Sequence, residues 1–114
     1  MMTKTLFIHS VPPEIAAPSS DVVVNVSETV VIDCRATGTP SPAVQWLVNG
    51  QPLDRTDQRY YIARDGRTLR ITDTRVADSG TYTCLAQNSV GAAERHFNLD
   101  VLGMRLIIYI LYSY

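Results

Sequence analysis

The sequence predicts an all-β domain, a sandwich or a barrel. Three observations point there. The middle of the chain divides into many short apolar stretches that alternate with a period of two, turn residues recur between them at short spacing, and no useful length carries a helical period. The 114 residues are enough for one domain and not two. A chain of this size buries roughly two thirds of its unfolded surface, so a single core is feasible.

The strands follow in order. Val22-Val23-Val24-Asn25-Val26 is β-branched and ends at Ser-Glu, so it is extended. In Thr29 to Ala36, Val30, Ile32 and Cys34 share one face while Val31, Asp33 and Arg35 take the other. Gly38-Thr39-Pro40-Ser41-Pro42 is expected to be a loop, because prolines are excluded from central strands. Ala43 to Val48 places Val44, Trp46 and Val48 inward, and Asn49-Gly50 then turns the chain with residues that tolerate positive φ. Arg59 to Ala63 is a short strand and Asp65-Gly66 a second hairpin turn. Thr68 to Thr72 follows, with Leu69 and Ile71 inward. Val76 to Gly80 is a compact corner. Thr81 to Gln87 turns Tyr82, Cys84 and Ala86 to one face, Asn88 to Gly91 reverses the chain, and Ala92 to Val101 ends it with Phe97, Leu99 and Val101 inward. The faces agree: a slip of one residue in any of these strands would put charge into the core.

Charge excludes several functions. Ten basic residues nearly cancel eleven acidic ones, so no long-range field draws in nucleic acid or an anionic membrane. Asp54, Arg55, Asp57, Arg59, Arg64, Asp65 and Arg67 alternate in sign and read as a solvated surface. Cys34 and Cys84 are too few for a structural zinc site, and His9 and His96 lie far from them in sequence. One intramolecular disulfide is the economical reading if the chain folds where oxidation is allowed. No metal or cofactor is expected.

Cys34, Trp46 and Cys84, together with Asp78-Ser79-Gly80-Thr81-Tyr82-Thr83-Cys84, resemble an immunoglobulin domain of the intermediate (I-set) type. The resemblance implies a Greek-key β-sandwich in which Cys34 and Cys84 join the two sheets. Trp46 would pack on that bridge, and Tyr82 would form the tyrosine corner, bonding to backbone upstream. Leu69 belongs to the same core by strand parity. The resemblance also implies that Asp78 pairs with an arginine near the fourth strand of such a domain. Arg59 is the candidate and Arg64 the alternative, against two unrelated surface charges. It covers about Val11 to Leu102. Residues 1–10 then read as an atypical extension and residues 103–114 as an apolar tail outside the domain. Val11-Pro12-Pro13-Glu14-Ile15, Gly38 to Pro42, Asn49 to Leu53, Asp65 to Leu69 and Asn88 to Gly91 are similar to the repeated modules of hemicentin-type matrix proteins.

Asn25-Val26-Ser27 fits the N-glycosylation acceptor pattern, and parity turns Asn25 away from Val24 and Val26. A three-residue pattern also arises by chance. No nucleophile elbow, EF-hand spacing or glycine-rich phosphate loop is present, so a small-molecule substrate and catalysis are not expected. His96 reads as an exposed strand residue. The apolar run Leu106 to Tyr112 is far short of the about 20 residues that span a bilayer, and Leu6-Phe7-Ile8 is shorter than a signal-peptide core. Both ends read as fragment edges. The alternatives for the tail are an extension packed on the domain or a truncated membrane helix. If translated, it is an aggregation hazard.

Three functions remain in view. The first is an extracellular adhesion or matrix-assembly module that contacts protein ligands or neighbouring modules. The second is a structural module of an intracellular titin or twitchin type. The third is a module attached to an enzyme, as in peroxidasin. Two contact routes are expected: end-to-end stacking, and one sheet face including Gln45, Tyr60, Tyr61, Gln87 and Arg95.

Overall fold

The computed structural model describes residues 9–16, 19–103 and 111–113. Ten strands run in chain order among the described residues: β1 Val11–Ile15, β2 Ser20–Asn25, β3 Val30–Asp33, β4 Ala36–Thr39, β5 Ala43–Val48, β6 Gln51–Pro52, β7 Tyr60–Ile62, β8 Thr68–Ile71, β9 Gly80–Asn88 and β10 Gly91–Leu102. A 3-10 turn, Val76–Asp78, precedes β9.

The strands form two layers. One is a five-stranded sheet in the order β2-β10-β9-β5-β6. The other holds the three-stranded β3-β8-β7 sheet, and the β1-β4 pair continues it through Cys34 and Arg35. Adjacent strands are antiparallel except β2 and β10, which run parallel with Val22 opposite Leu99 and Asn25 opposite Leu102. The chain therefore crosses between layers repeatedly, and each crossing lets the inward face of one strand meet the other sheet. This is the β-sandwich expected from the alternation.

Inward parity holds wherever it was expected. Val30, Ile32 and Cys34, then Leu69 and Ile71, supply the small layer. Trp46, Tyr82, Cys84, Ala86, Phe97, Leu99 and Val101 supply the large one, and all are buried. Burying each of the Val, Leu, Ile and Phe side chains among them contributes roughly 1.5–3 kcal/mol. The hairpins use the expected turns. Asn49 and Gly50 have φ of 50° and 81°, and they form a two-residue loop between Val48 and its partner Gln51.

One expectation needs correcting. Gly38 and Thr39 are not loop but the end of β4, paired with β1. Pro40 and Pro42 permit this because both lie beyond Thr39, where β4 ends, while Pro12 and Pro13 of β1 fall where its register shifts between Val11 and Glu14. Glycine at 38 has a packing reason: a Cβ there would lie 3.1 Å from the Val11 carbonyl and 3.2 Å from Pro13 Cα.

The expectations for residues 1–8 and 104–110, including most of the Leu106–Tyr112 run, lie outside the described residues. No helix among the described residues is long and apolar enough to cross a membrane.

Candidate functional site

The centre of the sandwich is built on two adjacent strands of one layer and one strand of the other. Trp46 on β5 stands opposite Cys84 on β9. Cys84 is bonded to Cys34 across the layers, with Cα atoms 6.3 Å apart and a sequence separation of 50. Both sulfurs are fully buried. The Trp46 indole tilts against Phe97 with centroids 6.3 Å apart, and its Nε1–H donates to the Gly66 carbonyl at 2.8 Å. That bond satisfies the only polar atom the indole brings into the core and anchors the β7–β8 hairpin.

At one end of the sandwich the core gives way to a polar corner. The Tyr82 hydroxyl donates to the Asp78 carbonyl at 2.7 Å, closing the corner before β9. The Asp78 carboxylate accepts both Arg59 terminal nitrogens, Nη1 at 2.6 Å and Nη2 at 2.8 Å, and also the Arg75 amide at 2.8 Å. Arg59 reaches on to Asp57 at 3.1 Å and to the Asp73 carbonyl at 3.2 Å. The Asp78 side chain is only 5% exposed. Burial opposes its charge, but the Arg59 hydrogen bonds, the Arg75 amide and the two guanidinium charges outweigh that cost. Its pKa therefore lies below the ordinary carboxylate value. Hydrogen bonding to Asp78 raises Arg59 above its ordinary value. Burial, followed by the Tyr60 hydroxyl, pushes the Tyr82 phenol upward.

The opposite end is held by two residues that the sequence did not single out for this purpose. Arg67, read above as solvated, is half-buried. It donates to the Ala36 carbonyl at 3.0 Å, the Asp65 carbonyl at 2.9 Å and the Pro42 carbonyl at 3.0 Å, and to Ser41 Oγ at 3.2 Å. It thus joins the β7–β8 hairpin to the β4–β5 loop. Arg59 likewise leaves the solvated set. The Asn88 amide nitrogen clamps the Val11 and Pro40 carbonyls at 2.8 and 2.9 Å, and its oxygen accepts the Val90 amide. No local signal marks either role, because each partner lies on a different element.

The expected contact face is not one face. Gln45 and Gln87 are exposed on the five-stranded sheet. Tyr60 and Tyr61 lie on β7, in the other layer, with Tyr60 packed partly against the core and Tyr61 turned to solvent. Arg95 stands opposite Cys84 in register and shares the inward parity of Phe97. On the outside of the small sheet, Val31, Arg70 and Tyr61 form one cross-strand row. Val31 and Tyr61 are 58% and 52% exposed, and the Arg70 guanidinium lies 4.7 Å from the Tyr61 ring centroid.

On the outside of the large sheet, Thr83 Oγ1 and His96 Nδ1 share a 2.8 Å hydrogen bond, and Glu94 lies 3.4 Å from His96 Nε2. A hydroxyl–imidazole–carboxylate row needs an oxyanion donor to stabilise a reacting carbonyl. Here Thr83 sits on a central strand whose ladder engages both neighbours, β5 and β10. The row is a cross-strand contact. Among the described residues, no group of three His, Cys, Asp or Glu side chains could hold a metal ion.

Comparison with known proteins agrees with this geometry. The family described as the immunoglobulin I-set domain matches residues 13–101. Human Hemicentin-1 is 39% identical over 95 residues, which is 80% of this chain and 2% of that protein. The chain thus spans a small fraction of the curated relatives it matches. The Drosophila OTK extracellular domains 3-5 superpose with a TM-score of 0.75 at 30% identity, covering 82% of this chain and 32% of that one. Titin domain M7 superposes at 0.76 with 28% identity, covering 84% and 99%. With bridge, indole, tyrosine corner and family match all in place over most of its length, this chain belongs to the immunoglobulin I-set family.

Proposed function

We propose that this chain is a protein-interaction module of an extracellular adhesion or matrix-assembly protein, folded as one unit over residues 11–102 and flanked by segments outside it. The observation that carries the reading is the buried Cys34–Cys84 bridge, closed beneath Trp46. A disulfide of this loop length contributes about 4 kcal/mol in the chain-entropy model, and it persists only where thiols are oxidised. The resemblance to hemicentin-type modules and the likeness to the OTK extracellular domains support the same reading. The module acts by contact, through the Val31–Arg70–Tyr61 row or through its ends, and carries no chemistry of its own.

A titin-type intracellular module is the second reading, favoured by the superposition on titin domain M7. Intact mass of the protein from its natural source, before and after reduction, separates the two. Extracellular use predicts a gain of two hydrogens on reduction; free Cys34 and Cys84 thiols in that material would reject it.

A further inference from the structure

The four asparagines of this chain are used in two different ways. Asn49 Oδ1 accepts the Thr81 amide at 3.0 Å. Asn88 clamps β1 and the β4–β5 loop. Asn98 accepts from Thr81 Oγ1 at 2.9 Å and donates to Asp21 at 3.0 Å. Each of these side chains holds the fold. Asn25 differs: its backbone amide bonds to Glu28 Oε1 at 2.7 Å and its carbonyl accepts the Glu28 amide at 3.2 Å, while its side-chain amide makes no hydrogen bond among the described residues. It is exposed, at the last position of β2. It is also the only asparagine of the chain followed by the acceptor pattern, Asn25-Val26-Ser27. Ser27 sits in the turn with φ of 75°, and Val26 points back toward the core, so the site projects from a fixed corner.

We propose that Asn25 is an N-glycosylation site whose glycan shields the free edge of the five-stranded sheet. Among the described residues β2 is the outermost strand of that sheet, so one row of its backbone groups has no strand partner there. Val23, two residues before Asn25 on the same side and roughly 7 Å away along the strand, is 62% exposed. An apolar, β-branched edge of this kind pairs readily with other chains. A glycan at Asn25 covers it while leaving the Val31–Arg70–Tyr61 row, on the opposite layer, open to partners.

The chemistry requires a lipid-linked oligosaccharide donor. The Asn25 amide nitrogen bonds to the anomeric carbon, the carbon–oxygen bond to the diphospho-lipid breaks, the diphospho-lipid leaves, and the amide loses one proton. The donor belongs to the secretory route, so the inference rests on the extracellular reading.

The test uses the full chain secreted behind a supplied leader from a eukaryotic host. Peptide mapping is done before and after peptide N-glycosidase treatment. The expected result is a glycan at Asn25, with aspartate left at position 25 after treatment. Asn25→Gln and Ser27→Gly should each abolish it, and glycine suits the positive φ at 27, so that variant keeps the turn. Secreted protein with an intact Cys34–Cys84 bridge and a bare Asn25 would overturn the site while leaving the extracellular reading standing. Free thiols in the natural protein would instead defeat that reading. Shielding is read separately by light scattering: enzymatic removal of the glycan should raise self-association, and unchanged scattering would overturn the shielding role.

Discussion

The centre and the corner of this sandwich are held by different physics. At the centre, Cys34, Cys84, Trp46 and Leu69 are joined by one covalent bond and by apolar burial, which is strong, non-directional and indifferent to pH. At the corner, Arg59, Asp78 and Tyr82 are joined by directional hydrogen bonds between groups up to 19 residues apart, and folding lowers the pKa of Asp78 and raises that of Tyr82. A buried charge is tolerated there because both carboxylate oxygens accept hydrogen bonds and a guanidinium pairs with them. The comparison teaches that the centre sets how stable the domain is, while the corner sets the conditions under which that stability holds.

The largest expected effect breaks the centre. The double variant Cys34→Ala, Cys84→Ala should lose about 4 kcal/mol in chemical denaturation at neutral pH. Reduction of the native protein should give a similar loss.

Breaking the corner comes next. Asp78→Asn removes the nearer carboxylate from half-buried Arg59, leaving Asp57 as its acidic partner, and should cost about 2 kcal/mol for the lost charge-assisted hydrogen bonds. The pH dependence sharpens the contrast. The folded-state pKa of Asp78 is depressed, so its contribution is fully present above the ordinary carboxylate value of about 4 and is lost as pH falls through the depressed value. Acid titration of stability should therefore be shallower in Asp78→Asn than in the native chain.

The smallest effect is that of Tyr82→Phe, about 1 kcal/mol for the lost bond to the Asp78 carbonyl. The Tyr82 pKa is raised, so the native protein should lose stability as pH rises above about 10, and the variant should lose that alkaline limb.

What could be read from the sequence follows the same division. Cys34, Trp46, Leu69 and Cys84 announce themselves because a period of two, once in register, leaves an apolar residue nowhere else to go. Asn49-Gly50 announces its turn because few residues accept positive φ at both positions. Arg67 and Asn88 do not, since their acceptors are carbonyls on elements whose proximity exists only after folding. The β4 strand was hidden by Pro40 and Pro42, because proline argues against central strands and is silent about where an edge strand ends. The assembled contact face failed for two reasons. The layer to which β7 belongs cannot be read from its own three residues, and Arg95 shares the strand parity of inward Phe97, which sets it apart from Gln45 and Gln87.

Native-state hydrogen exchange followed residue by residue as pH is lowered tests the division most directly. The Arg75 amide, which donates to the Asp78 carboxylate, should lose protection as that group protonates, while the Cys34 amide, bonded to the Arg67 carbonyl at 2.7 Å, stays protected to the limit of global unfolding. Loss of protection at Cys34 before Arg75, or at both together at every pH, would contradict it.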